Sequence, residues 1–195
     1  MKVVLFLAIG LYVSLRLPAQ DGLAYGNISS YSLLDVNTEK TLHLDKASDG
    51  KKLSLFVFLS PECPLCQNYS TLLNSLRSLY AGQVDQYGVI PGAGYSTKEV
   101  RTFGQKYRIT FPLLIDDSKK FTHYLQATIT PEVILLGPKD ELLYKGAIDN
   151  LLQDLGKRRL KATKNYLQDA IEASLHNKVV PVNQTKAVGC LINDF

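Results

Sequence analysis

The chain has 195 residues, 46% apolar and 21% charged, the proportions of an ordinary globular protein. That length suits one domain with a full core, and with 13 Gly and 8 Pro the composition is not that of a disordered or fibrous chain. A net charge of +4, from 22 basic and 18 acidic residues, is too weak for a nucleic-acid footprint.

The chain opens on MKVVLFLAIGLYVSLRLPAQ: Lys2, an apolar run from Val3 to Leu15, then small residues near a cut site. This is the pattern of a secretory leader. The run is too short to span a bilayer, which takes about 20 residues. The expected layout is a leader over 1–20, one α/β domain over 21–180 and a tail over 181–195 that carries Cys190. Membrane contact is then transient, through the leader alone, and a retained anchor is the alternative. Without the leader's Lys2 and Arg16 the charge falls to 20 basic against 18 acidic residues. Export to the periplasm or the extracellular space places the chain where disulfides persist, and three cysteines there leave one odd thiol to explain.

Residues 21–52 form a lead-in. YSLLDV (Tyr31–Val36) and TLHL (Thr41–Leu44) can make a hairpin, and SDGKK (Ser48–Lys52) a turn. LSLFVFLS (Leu53–Ser60) is a continuous apolar run, as in a strand buried on both faces. The helical pattern that follows predicts Leu65, Tyr69, Leu72, Leu73, Leu76 and Leu79 facing inward, with Gly82 as its stop. VDQYGVIPG (Val84–Gly92) reads as a strand, and Ser96 with Glu99 forms a capping box that opens a second helix. FPLLIDD is a short strand, SKKFTHYLQA a short helix, and TPEVILLGPKDELLYKGAI a pair of strands joined at GPKDE. ATKNYLQDAIEASLHNK is a closing amphipathic helix with Tyr166, Leu167, Ala170, Ile171 and Leu175 inward. The basic cluster Lys157–Lys164 falls at its start and reads as a solvated surface; the tail reads as irregular. Strands that alternate with helices are parallel with right-handed crossovers, and the late hairpin adds antiparallel strands. The expected fold is a mixed central sheet with helices on both faces.

Cys63-Pro64-Leu65-Cys66 stands where the first apolar strand gives way to a helix. With Cys63 at the N-cap, Pro64 takes the first helical position, where its missing N–H costs nothing. The Cys66 amide can then face the Cys63 sulfur, and the helix dipole favours a negative charge there. An ordinary Cys pKa of about 8.5 falls to roughly 3.5–7.5 in such a setting; Glu62 next door opposes this, so a moderate drop is expected. Cysteines at this spacing can also form a bridge, with Cys63 attacking a substrate disulfide and Cys66 resolving the mixed disulfide.

Three other readings compete. Zinc needs four ligands, and beyond the pair there are only Cys190 and the scattered His43, His123 and His176. Copper(I) accepts two or three thiolates, so Cys63, Cys66 and Cys190 would suffice; His123 would add to them only if its helix faces the cysteines. A structural staple gains little from so short a loop. Further along, Thr130-Pro131 precedes an apolar strand, where a cis bond would turn the chain sharply and bring Thr130 toward the cysteines.

The strand–CxxC–helix unit, Thr130-Pro131 ahead of a strand hairpin and the closing helix together resemble the thioredoxin fold. The length, the lead-in, DDSKKFTHYLQATITPEVILL and the ending TKAVGCLI look like its redoxin branch, including the peroxiredoxin-like group that carries a CxxC. The resemblance implies Cys63 and Cys66 as catalytic thiols, Thr130 and Pro131 as a cis-proline loop that binds substrate, and no organic cofactor or metal. Implied partners are protein disulfides or dithiols, paired as an added strand at Thr130, and a dithiol electron donor. Cys190 is either a free thiol on a flexible tail or a third redox thiol that folds back to Cys66 or Cys63, or completes a copper site.

The chain departs from the pattern in several places. Val57 stands where thioredoxins keep a buried acid, Glu62 where they keep Trp, and the chain has no Trp at all. Against true peroxiredoxins Ser60 fits, but Phe56 replaces the expected Pro; Arg77, Arg101 and Arg108 are the only nearby candidates for a thiolate-stabilising Arg. The resulting expectation is an exported thiol–disulfide oxidoreductase of thioredoxin-like α/β fold. The alternatives are a thiol-dependent peroxidase and a copper(I) carrier of the same fold.

Overall fold

A computed structural model describes residues 25–44 and 52–193. The expected leader and all of the expected SDGKK turn except Lys52 lie outside the described residues. After a 3-10 turn (Ile28–Ser30) come β1 (Ser32–Asp35), β2 (Lys40–His43), β3 (Leu53–Phe58), α1 (Pro64–Leu79) and β4 (Val84–Pro91). Next are α2 (Thr97–Lys106), β5 (Leu113–Asp116), α3 (Lys120–Tyr124), β6 (Ile129–Thr130), β7 (Glu132–Leu136) and β8 (Leu142–Gly146). The chain ends with β9 (Leu152–Asp154), β10 (Lys157–Arg158), α4 (Tyr166–Leu175) and β11 (Cys190–Leu191).

Seven strands form one sheet in the order β2-β1-β5-β4-β3-β7-β8. β3, β4 and β5 are parallel at its centre, and the flanking pairs are antiparallel. The lead-in hairpin forms as expected and extends the main sheet, with Leu34 opposite Ile115. All six residues of β3 are buried, because the sheet is covered on both sides. Leu53, Leu55 and Val57 pack into a layer with α1, α2 and α4. Phe56 and Phe58 face the opposite layer, closed by α3 and the 3-10 turn. Alternation along β3 thus assigns its neighbours to opposite cores.

Three expectations are corrected. On α1 the buried stripe is Cys66, Tyr69, Ser70, Leu73 and Leu76, spaced three and four apart as a helix face requires. Leu72 and Leu79 turn outward, 36% and 58% exposed. The closing helix begins at Tyr166, not at Ala162. The side chain of Asn150 accepts hydrogen bonds from the Thr163 and Lys164 amides at 2.8 and 3.0 Å, which ties that stretch to a loop. The basic run Lys157–Lys164 therefore starts no helix; its first two residues pair with β9, and most of it is exposed.

The tail is irregular over most of its length, yet it is held in place. Lys145 exchanges backbone hydrogen bonds with Asn183 and Thr185, each at 3.0 Å. The Thr185 hydroxyl meets the Tyr144 hydroxyl at 2.6 Å. Gly146 admits the tail because a Cβ there would run into Thr185. Further on, β11 pairs antiparallel with β6.

Candidate redox site

Cys63 caps α1 and Pro64 takes its first position, as expected. The pair sits at the carboxyl end of β3, where open α/β sheets place their sites. Cys63 is 2% exposed and Cys66 fully buried, and all three cysteines are free thiols. Cys66 faces back into the sheet and accepts the Ser60 N–H at 3.4 Å. The Thr130-Pro131 peptide is cis. The Thr130 carbonyl lies 3.2 Å from the Cys63 sulfur and accepts from the neutral thiol. Residues far apart in sequence thus meet.

The electrostatics of the pair are asymmetric. The Cys63 thiol is lowered from its ordinary value to about 4. A hydrogen bond from the Cys66 thiol is the main cause; burial opposes it, and the Cys190 thiol and the Cys66 and Leu65 amides add smaller contributions. Neither amide closes a full capping bond on the sulfur. The drop exceeds the moderate one expected because neighbouring thiols, rather than the helix end, dominate it. Burial drives Cys66 far up, reinforced by its hydrogen bond to Cys63 and by the Cys63 charge. The Ser60 amide and the Thr130 hydroxyl act the other way, favouring a Cys66 thiolate. Cys190 is pushed up to about 11, by burial first and then by its hydrogen bond to Cys63.

Beside the thiols lies a cleft of about 460 Å³. Glu62, Tyr95 and the Gly92–Gly94 loop form one wall, and Thr130 with Cys190–Asn193 the other. The Tyr95 hydroxyl meets the Ser60 hydroxyl at 3.0 Å and the Glu62 carboxylate at 3.4 Å. The Lys119 ammonium donates to the Asn193 carbonyl. Tyr95 and Lys119 belong to no site motif in the sequence. GAGY directly after β4 was the available signal, since β4 runs parallel to β3 and ends beside it.

Other candidates lie elsewhere. His43 bonds the Ser32 hydroxyl at the sheet edge, His176 sits at the end of α4 on the Glu172 carbonyl, and His123 is exposed on α3. Among the described residues no group of three or more His, Cys, Asp and Glu side chains is arranged to hold a metal. Arg101 binds the Val36 carbonyl and Glu39, and Arg77 the Val84 carbonyl. Arg108 lines a separate groove with Leu79 and Tyr107. Val57 is buried among apolar side chains.

The fold is thioredoxin-like, with the thiol pair at the carboxyl end of β3. The sequence profile of the Redoxin family matches residues 25–155, and the chain belongs to that family. No curated protein matches it. A hypothetical protein from Sinorhizobium meliloti is similar in structure, with a TM-score of 0.75 at 24% identity, covering 88% of this chain and 92% of its own. An uncharacterized conserved protein from Geobacillus kaustophilus gives 0.74 at 19%, covering 85% and 88%. DsbF of Mycobacterium tuberculosis, solved in mixed oxidized and reduced forms, gives 0.52 at 18%, covering 58% of this chain and 81% of its own.

Proposed function

We propose that this redoxin is an exported thiol–disulfide oxidoreductase. Cys63 is its nucleophile, Cys66 its resolving thiol, and Thr130-Pro131 its docking loop for protein substrates. The observation that carries the reading is the acidic, buried Cys63 sulfur held between Cys66 and the Thr130 carbonyl. The thiolate is the attacking species, and the Cys66 and Cys190 thiols with the Cys66 and Leu65 amides favour that form of Cys63.

The Cys63 thiolate attacks one sulfur of a substrate disulfide, and the other sulfur leaves as a thiolate. Two of the causes that hold Cys66 protonated, its hydrogen bond to Cys63 and the Cys63 charge, vanish in this mixed disulfide. The Ser60 amide and the Thr130 hydroxyl then favour ionisation of Cys66. Its proton passes to the departed thiolate, and its sulfur attacks that of Cys63. The substrate leaves reduced and the protein holds a Cys63–Cys66 disulfide. A partner dithiol reverses the sequence and restores the thiols without an organic cofactor. The leader-like pattern of residues 1–20, with Lys2 ahead of an apolar run, supports export.

Insulin-disulfide reduction with dithiothreitol as donor tests the reading. Cys63→Ser abolishes turnover, and Cys66→Ser in a Cys190→Ala background stalls on a mixed disulfide trapped by acid. Wild-type turnover in Cys63→Ser sinks the assignment.

A further inference from the structure

The chain's own tail occupies the backbone edge at which a substrate strand would dock. Cys190 stands opposite Thr130 and Leu191 opposite Ile129 in an antiparallel pair. The Ile192 amide donates to the Thr128 carbonyl at 2.9 Å, and the Thr130 hydroxyl reaches the Cys190 carbonyl at 3.4 Å. This is strand addition made within one chain. The fit is close: a Cβ on Gly189 would collide with the Thr130 carbonyl, so the residue ahead of the cysteine has to be glycine. The strap is fastened upstream at Asn183–Thr185 and downstream where Lys119 holds the Asn193 carbonyl.

We propose that residues 189–193 are a tethered substrate strand and that Cys190 is a third redox thiol, which forms a disulfide with Cys63. The proposal rests on Cys63 being the nucleophile. The Cys63 sulfur lies 3.2 Å from the carbonyl of Thr130, the residue that stands opposite Cys190, so the strand pair sets Cys190 beside Cys63; the Cys190 thiol accordingly helps lower that of Cys63. Accessibility separates the three: Cys66 and Cys63 are buried, whereas Cys190 is half-buried on the cleft wall.

The chemistry closes. A substrate strand displaces the tail, the Cys63 thiolate attacks the substrate disulfide, and one substrate sulfur leaves as a thiolate. The returning tail gives its Cys190 proton to that thiolate and attacks the Cys63 sulfur. The second substrate sulfur leaves as a thiolate and takes a proton from water. Return of the tail thus expels the substrate from the sulfur and from the backbone edge together. An external dithiol then attacks the accessible Cys190 sulfur and Cys63 departs; the most acidic thiol is the best leaving group. The donor's second thiol frees Cys190, and the donor leaves as its disulfide. Two electrons enter and two leave. The self-fit also names a substrate class: extended segments with glycine immediately ahead of the reactive cysteine.

The test uses full-length Cys66→Ala, with Cys66→Ser as a second variant should the first fail to fold. The reduced protein is treated with oxidised glutathione and mapped by mass spectrometry. A monomer with Cys63 linked to Cys190 is expected, and adding Gly189→Val should convert it to a glutathione adduct on Cys63. Glutathione retained on Cys63 with Cys190 free, in the variant that keeps Gly189, overturns the proposal and leaves the oxidoreductase reading standing. A Cys63 that stays a free thiol, joined neither to glutathione nor to Cys190, at neutral pH overturns both.

Discussion

Thr130 faces Cys190 across the β6–β11 pair, 60 positions away in sequence, while its carbonyl receives the Cys63 thiol from the other side. Its hydroxyl also acts on Cys66. One residue therefore sets the positions of three sulfurs, and its backbone and side chain can be tested separately.

Thr130→Ala leaves the backbone edge and the carbonyl in place but removes the hydroxyl that favours a Cys66 thiolate. One such hydrogen bond is worth about 1 kcal/mol, or about fivefold in rate. In a Cys190→Ala background, where only Cys66 can resolve, the acid-trapped mixed disulfide on Cys63 should decay about fivefold more slowly. Decay at the rate of the Thr130 parent would show that the hydroxyl has no part in resolution.

Gly189→Val should release the tail without unfolding the domain, because the core layers are built from β3, β4, β7 and the helices. With the strand lifted, Cys190 loses its hydrogen bond to Cys63 and part of its burial. Both hold its thiol up at about 11, so its acidity moves back toward the ordinary range. Iodoacetamide should label Cys190 at least tenfold faster at pH 8, with unchanged far-ultraviolet circular dichroism; a ten-fold change corresponds to about one pKa unit. Equal labelling rates would mean that the strand pair does not protect the thiol.

The parts of this site that could be read from sequence are the local ones. Cys63-Pro64 starting α1, the Ser96–Glu99 capping box and the β7–β8 hairpin each depend on neighbouring residues, and each formed as expected. The cis bond at Thr130-Pro131 followed from the resemblance. The tail was not legible, because β6 and β11 are only two residues each and carry no periodicity. Their pairing depends on close backbone approach at Gly189, which only the folded chain displays. The exposed Leu72 and Leu79 misled for another reason: leucine is a good helix former wherever it points.

Leu73 shows which layer supports the site. It is fully buried on α1, between Cys66 and Leu76 on the same stripe. Leu73→Ala removes packing and leaves a cavity, at a cost of about 2–5 kcal/mol. For a domain of this size that lowers Tm by roughly 5–15 °C. A drop of under about 2 °C by calorimetry would mean that α1 is not packed as described.

The acidity of Cys63 makes the stability of the reduced protein depend on pH. Its folded value, about 4, lies below the unfolded value of about 8.5. The lowered group therefore contributes stability that is complete above the unfolded value and is lost as pH falls toward 4. Tm of the reduced protein should rise relative to Cys63→Ser between about pH 4 and pH 8. The oxidised protein, with no thiolate, should lack that increment. The same stabilisation of the reduced state makes the couple more oxidising. Its potential should lie tens of millivolts above the roughly −270 mV of thioredoxin. Equilibration with glutathione buffers measures it, and ultraviolet thiolate absorbance gives the Cys63 titration on the same sample. A potential at or below that of thioredoxin, with a Cys63 midpoint near 8, would remove the thiol-to-thiolate hydrogen bonds as the source of its acidity.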